Sequence, residues 1–125
     1  MRALLLALPL AALMLTGCSN DKPMINTAQS LVMESAVLSA GIITDDPVIG
    51  ERDGQQRAAS VLYNQRETPV DVWYRFYWYD DKGLEILPYE RPRVSRVPAH
   101  SSVEVASQVG NLTASKARLY LWLQE

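Results

Sequence analysis

The clearest pattern in the chain is an alternation of side-chain types over residues 70–80. Successive side chains of a β-strand point to opposite faces, so this segment divides into two sets. The set expected to face the core is Val70, Val72, Tyr74, Phe76 and Trp78. The other set contains Asp71, Trp73, Arg75, Tyr77 and Tyr79. The segment therefore predicts a long strand with one buried face.

A turn is predicted directly after this strand, at residues 80–83, because Gly83 tolerates the positive φ that such turns use. Residues 84–87 can return from it as a hairpin partner, and Pro88 and Pro92 end that strand.

Short runs rich in Val, Leu, Tyr and Trp, separated by Gly, Pro, Asn and Asp, predict further strands. They lie at residues 58–64, 93–97, 102–106 and 116–123. Residues 30–48 also fit a helical stripe, but β-branched residues around Gly41 favour two short strands there. Residues 50–56 are predicted to be a mobile loop. Seven or eight short strands without crossover helices predict an all-β, antiparallel β-sandwich.

The N-terminal residues have the pattern of a lipoprotein signal peptide. Arg2 supplies positive charge, and the apolar run at 3–15 is shorter than the about 20 residues that span a bilayer. The sequence Leu15-Thr16-Gly17-Cys18 resembles a bacterial lipobox, in which the cysteine carries a diacylglyceryl group and becomes the new N-terminus. We therefore predict cleavage of residues 1–17 and lipidation of Cys18, the only cysteine.

The remaining chain is predicted to contain a lipidated cysteine with a polar tether at 18–29 and one β-sandwich domain at 30–125. The lipid on Cys18 supplies the contact with the membrane. Ser19, rather than Asp, follows the cysteine, as in lipoproteins exported to the outer membrane, so we expect the domain to face the periplasm. A net charge of −2 without a basic block argues against nucleic acid as a partner.

Several segments resemble the YcfL family of small enterobacterial lipoproteins. The longest is YRFYWYD at residues 74–80, and others lie at 29–35, 90–93, 98–101 and 117–121. The resemblance implies a signal-bearing lipoprotein with an immunoglobulin-like sandwich. In some relatives it also implies a gene position beside an outer-membrane activator of a peptidoglycan synthase. It implies no ligand and no catalytic residue.

The sequence offers little for catalysis or metal binding. His100 is the only histidine, and no second histidine or free cysteine can complete a nucleophile and base pair with it. The acidic pairs at 45–46 and 80–81 lack the ligand spacing of a calcium loop, which favours turns. Glu85 and Glu90 are close in sequence, but nothing fixes the separation that glycoside hydrolysis requires. We predict a non-enzyme without cofactor or metal.

The second face of the 70–80 strand is rich in aromatic residues: six of the seven residues at 73–79 are aromatic. The strand at 116–123 also carries aromatic and basic residues on its non-core face. If the two strands share a sheet, one patch forms from Trp73, Arg75, Tyr77, Tyr79, Arg118, Tyr120 and Trp122. Cross-strand packing can explain such a patch. Trp, Tyr and Arg are also the residues enriched at interface anchors, and flat rings stack on sugars.

These observations predict an outer-membrane-anchored periplasmic lipoprotein that acts as a non-catalytic protein-binding or adaptor module in the cell envelope. The gene position of some relatives suggests the peptidoglycan-synthesis machinery as the source of a protein partner. Two alternatives remain open: a module that binds glycan or peptidoglycan strands, and a structural lipoprotein without a discrete ligand.

Overall fold

The computed structural model describes residues 29–124, so the predicted signal peptide and Cys18 lie outside the described residues. Eight strands and one short helix occur in this range. In chain order they are β1 (Leu31–Met33), α1 (Ser35–Ser39), β2 (Ile42–Thr44), β3 (Val48–Arg52), β4 (Gln55–Asn64), β5 (Val70–Tyr79), β6 (Arg93–Val97), β7 (Ser102–Val109) and β8 (Lys116–Trp122). Between residues 29 and 124, no helix is long and apolar enough to cross a membrane.

The strands form two sheets. The first sheet has the order β1-β8-β5-β6, and its pairs are antiparallel except for β1, which runs parallel to β8. In the second sheet β4 is central, with β7 along one edge and β2 and β3 following each other along the other edge. The predicted immunoglobulin-like β-sandwich is confirmed, with eight strands in the described range.

The hydrophobic core lies between the two sheets. From β5 and β8 it contains Val72, Tyr74, Phe76, Trp78, Ala117, Leu119 and Leu121. From the facing sheet it contains Ile42, Ala58, Leu62 and Val105. Burial of each large apolar side chain contributes about 1.5–3 kcal/mol relative to exposure. The alternation along β5 thus identifies the strand's buried face correctly.

Two local predictions are wrong, and a third is incomplete. Residues 50–56 are not a loop: β3 and β4 form a hairpin there, closed by Asp53 and Gly54, which both have positive φ. The two short strands predicted within 30–48 are present as β1 and β2, but helix α1 lies between them and buries Val37. Residues 84–87 do not form a strand, because they pair with the end of β5 only through the isolated bridge between Tyr79 and Glu85, which consists of two hydrogen bonds.

The two ends of the sandwich carry different loops. At one end, which we call the Gln29 end, the chain enters β1 beside the loops at 80–92 and 110–115. Hydrogen bonds join these parts, from Arg118 Nε to the Gln29 carbonyl and from the Ser115 amide to the Tyr79 carbonyl. The opposite end, the α1 end, contains helix α1 and the turns at 65–69 and 98–101. There the Gln65 amide donates to the Gly41 carbonyl.

Candidate functional site

The outer face of the first sheet brings the predicted patch residues together. Strands β5 and β8 pair so that Trp73 lies opposite Trp122, Arg75 opposite Tyr120, and Tyr77 opposite Arg118. Because residues two apart share a face, the seven side chains point away from the core together. We call this surface the outer aromatic face: Trp73, Arg75, Tyr77, Tyr79, Arg118, Tyr120 and Trp122. All seven residues are half-buried.

The rings of this face contact one another across the two strands. Trp73 and Trp122 stack with ring centroids 6.5 Å apart and an interplanar angle of 28°. Tyr77 and Tyr120 meet edge to face, with centroids 5.7 Å apart. Both arrangements are favourable for aromatic quadrupoles and hold the side chains in fixed positions. The face is therefore a preorganised aromatic surface.

Two arginines complete the face by lying over tyrosine rings. The guanidinium carbon of Arg75 is 5.3 Å from the ring centroid of Tyr77, and that of Arg118 is 5.4 Å from the ring centroid of Tyr79. Such contacts add a favourable cation–π attraction. Arg75 also donates from Nη1 to the Glu90 carbonyl at 3.5 Å, but its Nε is buried and has no hydrogen-bond partner.

Tyr89 extends the face, and the sequence pattern did not reveal it. Its ring meets Tyr77 edge to face with centroids 5.7 Å apart, and 52% of the residue is exposed. Within residues 29–124 it is the single aromatic residue outside a strand, which is the one signal that sets it apart in the sequence. Strand alternation cannot place a loop residue, so its contact with Tyr77 was not predictable.

The two tyrosines nearest Glu85 have altered acidity. Burial raises the pKa of Tyr79, and the positive charge of Arg118 opposes that change. The negative charge of Glu85 raises the pKa of Tyr89, whose hydroxyl donates to Glu85 Oε1 at 3.3 Å. Both phenols are therefore protonated at neutral pH, and the Tyr89 hydroxyl already uses its proton in the hydrogen bond to Glu85.

Strand β6 borders the face with Val94 and Arg96. Val94 lies opposite Trp73 in the register and is 50% exposed. Beside it, Arg96 and Asp71 form an exposed ion pair of 3.1 Å. An ion pair of this kind contributes about 0–1 kcal/mol, so it marks the rim of the face and adds little to its stability.

A cleft of about 270 Å³ opens beside the face, at the Gln29 end. Its walls are the end of β5, the loop at 86–90 and the residues at 109–111. Glu90 is held close to the cleft by a buried network in which the Trp78 indole donates to Ser107 and the Ser107 hydroxyl donates to Glu90. Arg93 lies 3.4 Å from the other oxygen of Glu90.

The residues considered for catalysis lie at opposite ends of the sandwich. His100 is exposed in the 98–101 turn at the α1 end, with a φ of 51°. Glu85 accepts from Tyr89 and Glu90 from Ser107, so both carboxylates hold loop structure. In the range 29–124 no group of three or more His, Cys, Asp or Glu could hold a metal ion.

The fold and this surface define a class: a small all-β sandwich domain with an aromatic, arginine-containing face on one sheet. The chain belongs to the DUF1425 family, described as a protein of unknown function, whose model matches residues 29–123. It is 50% identical over 115 residues to the uncharacterized protein YcfL of Escherichia coli strain K12, covering 91% of this chain and 92% of that protein. The predicted resemblance is confirmed.

Two crystal structures are similar in fold. A DUF1425 family member from Shewanella sp. PV-4 has a TM-score of 0.62 at 18% identity, over 67% of this chain and 79% of that chain. Campylobacter jejuni cj0090 has a TM-score of 0.62 at 18% identity, over 77% of this chain and 99% of that chain. At this identity the similarity concerns the fold alone.

Proposed function

We propose that this protein is an outer-membrane lipoprotein, anchored through Cys18 and facing the periplasm, whose outer aromatic face binds an envelope protein. It acts as a binding or adaptor module and not as an enzyme. The observation that carries the proposal is the preorganised set of rings and guanidinium groups on the sheet face opposite the core.

The composition of the face supports a protein partner. Trp, Tyr and Arg dominate the few residues that carry most of the free energy of protein association. The face is also rigid before binding, since its rings are held by cross-strand contacts, and this lowers the entropic cost of association.

Stacking on sugar rings is the competing use of the same surface. A sugar needs a free, flat ring face, but Trp73 and Trp122 stack on each other and are half-buried. The stacking therefore leaves little flat ring surface on which a sugar could stack. A protein partner, whose surface is irregular, does not need a flat ring. We therefore place the protein partner first and treat peptidoglycan strands as an outcome of the test.

Site-specific photo-crosslinking in intact cells tests the partner. A photoreactive residue is placed at Trp122 on the outer aromatic face or at Tyr63. Tyr63 is the matched control, because it is also half-buried and aromatic but lies on the outer face of β4 in the other sheet. We expect one protein to be captured from position 122 and not from position 63. Equal capture from both positions, or capture of no protein, contradicts the proposal.

The affinity of the captured partner gives the second readout. Trp73→Ser combined with Trp122→Ser should weaken binding at least about 30-fold, because loss of a hot spot costs about 2 kcal/mol or more. Tyr63→Ser should leave the affinity unchanged, and unfolding curves show whether each variant folds. Competition by soluble peptidoglycan fragments would favour the glycan reading instead.

The anchor has its own test. Cys18→Ser should move the protein from the outer-membrane fraction to the soluble periplasmic fraction, because the lipid carries the attachment. Mass spectrometry of the wild-type N-terminal peptide should show an acylated Cys18. A free thiol at Cys18, or a Cys18→Ser variant that stays in the membrane fraction, contradicts the anchor.

A further inference from the structure

Exposed leucines are concentrated in the loops of the Gln29 end. Leu84 and Leu87 are each 64% exposed in the loop after β5, and Leu112 is 69% exposed in the loop after β7. The two loops lie side by side, since Leu87 and Asn111 line the same cleft. At the α1 end, by contrast, Leu38 is the single exposed leucine among residues 29–124.

The chain enters the domain at this same end. The Gln29 carbonyl accepts a hydrogen bond of 3.0 Å from Arg118 Nε, and the Ser30 carbonyl accepts one of 2.8 Å from the Leu119 amide. Residues 18–28 precede this point. At about 3.3–3.6 Å per extended residue, their reach is at most about 40 Å. A lipid on Cys18 therefore holds the Gln29 end within that distance of the bilayer.

We propose that the Gln29 end docks on the surface of the lipid bilayer, with Leu84, Leu87 and Leu112 in the headgroup interface. This inference rests on the anchor stated in the proposed function. The tether keeps the loops at a high effective concentration near the membrane, so even weak apolar contacts suffice to hold them there. Interfacial segments of this kind lie about 5–10 Å into the boundary between headgroups and acyl chains.

The charges in the loops indicate that the contact is apolar. The loop at 80–92 contains Asp80, Asp81, Glu85 and Glu90 against Lys82 and Arg91, so it is acidic overall, and Lys116 follows the other loop. Acidic side chains gain nothing from an anionic lipid surface. Docking should therefore persist at high ionic strength, whereas an electrostatic contact would be screened.

The test uses the full lipidated chain in vesicles of phosphatidylethanolamine and phosphatidylglycerol. Cys18 is the only cysteine, and the lipid occupies its thiol, so an introduced cysteine is the single reactive thiol. An environment-sensitive fluorophore is placed through Leu87→Cys or Leu112→Cys. Leu38→Cys is the matched control, because Leu38 is 55% exposed at the α1 end.

We expect nitroxide groups on the lipid chains to quench the labels at positions 87 and 112 severalfold more strongly than the label at 38, in low and in high salt. Equal quenching at the three positions overturns the inference. So does quenching that disappears in high salt, since this would mean an electrostatic contact.

A second preparation separates this inference from the anchor itself. In a Cys18→Ser chain, an N-terminal polyhistidine segment replaces residues 1–17 and binds nickel-chelating lipids, which supplies an anchor at the same point. If the native chain fails to float with vesicles, the anchor proposal fails, and the same three labels on the nickel-anchored chain still decide whether the Gln29 end docks.

Discussion

The indole Nε1 of Trp78 donates a hydrogen bond of 2.8 Å to the hydroxyl of Ser107, and this buried bond crosses between the two sheets of the sandwich. The Ser107 hydroxyl in turn donates a hydrogen bond to Glu90, in the loop beside the outer aromatic face. One small polar side chain thus links the core of β5, the facing strand β7 and the loop that carries Tyr89.

Removal of this hydroxyl should destabilise the domain. We expect Ser107→Ala to lower the free energy of unfolding by about 1–3 kcal/mol, because it leaves the buried Trp78 donor without an acceptor. Urea unfolding measures the difference, and Ser102→Ala, at an exposed position of the same strand, is the control. Equal midpoints for the two variants would mean that the bond between the sheets contributes no net stability.

Asn64 should be a second buried polar residue on which stability depends. Its side-chain amide donates to the carbonyls of Thr68 and Val97 at 2.8 and 3.2 Å, and its oxygen accepts from the Arg66 amide at 2.8 Å. Asn64→Ala removes all three bonds and should cost about 1–3 kcal/mol or more. Gln65→Ala, at the exposed neighbouring position, should change the unfolding midpoint little. A variant of Asn64 as stable as the wild type contradicts this assignment.

Gly41 and Gly54 allow backbone strain and steric overlap to be separated. Both have positive φ, 98° and 76°, but a Cβ at Gly41 would overlap Arg66 Cγ, whereas a Cβ at Gly54 meets open space. Gly54→Ala should therefore cost about 1–2 kcal/mol from conformation alone, and Gly41→Ala should cost more. Thermal unfolding of the two variants gives the comparison. A larger loss at Gly54 would rule out the overlap with Arg66.

The turn after β5 should contribute stability that depends on pH. The Leu84 amide and then the Lys82 amide donate to Asp80 Oδ1 and hold the pKa of Asp80 below its ordinary value of 3.8. A depressed carboxylate pKa stabilises the folded state above the unfolded-state value, and this gain is lost as the pH falls through the folded-state pKa. Asp80→Asn should therefore be less stable than the wild type at neutral pH.

The stability difference between Asp80→Asn and the wild type should shrink as the pH falls below 3.8, and urea unfolding at each pH follows it. Asp81→Asn, in the same turn, controls for the general effect of removing one negative charge. An NMR titration should place the Asp80 midpoint below 3.8. A midpoint above that value contradicts the role of the two amides.

The longest alternating segments of the sequence were the most informative about the structure. Strand β5 was predicted to within one residue of its end, because its two faces differ in chemistry and one faces the core. Strand β3 was missed because all five of its residues are exposed, so it has no apolar face to detect. Helix α1 has five residues, too few for a helical period to be distinct from the strands around it.

The outer aromatic face could be predicted in part for the same reason. Alternation places side chains on a face, but it does not say which strands are neighbours, and the pairing of Trp73 with Trp122 became known only from the structure. Tyr89 contacts Tyr77 of the face, and Ser107 contacts Glu90, through interactions between a loop and two strands. Such contacts depend on how the sheets pack, and no local pattern encodes them.

The parallel pairing of β1 with β8 has a mechanical consequence. Under the proposed anchor, tension on the lipid would reach the domain at Gln29 and pull β1 along its own axis. The hydrogen bonds from the Leu119 amide to Ser30 and from the Glu34 amide to Leu121 lie across that direction, so they bear the load together in shear and do not open one at a time. With that anchor, the edge strand β1 would transmit the load between the bilayer and a partner bound on β5 and β8.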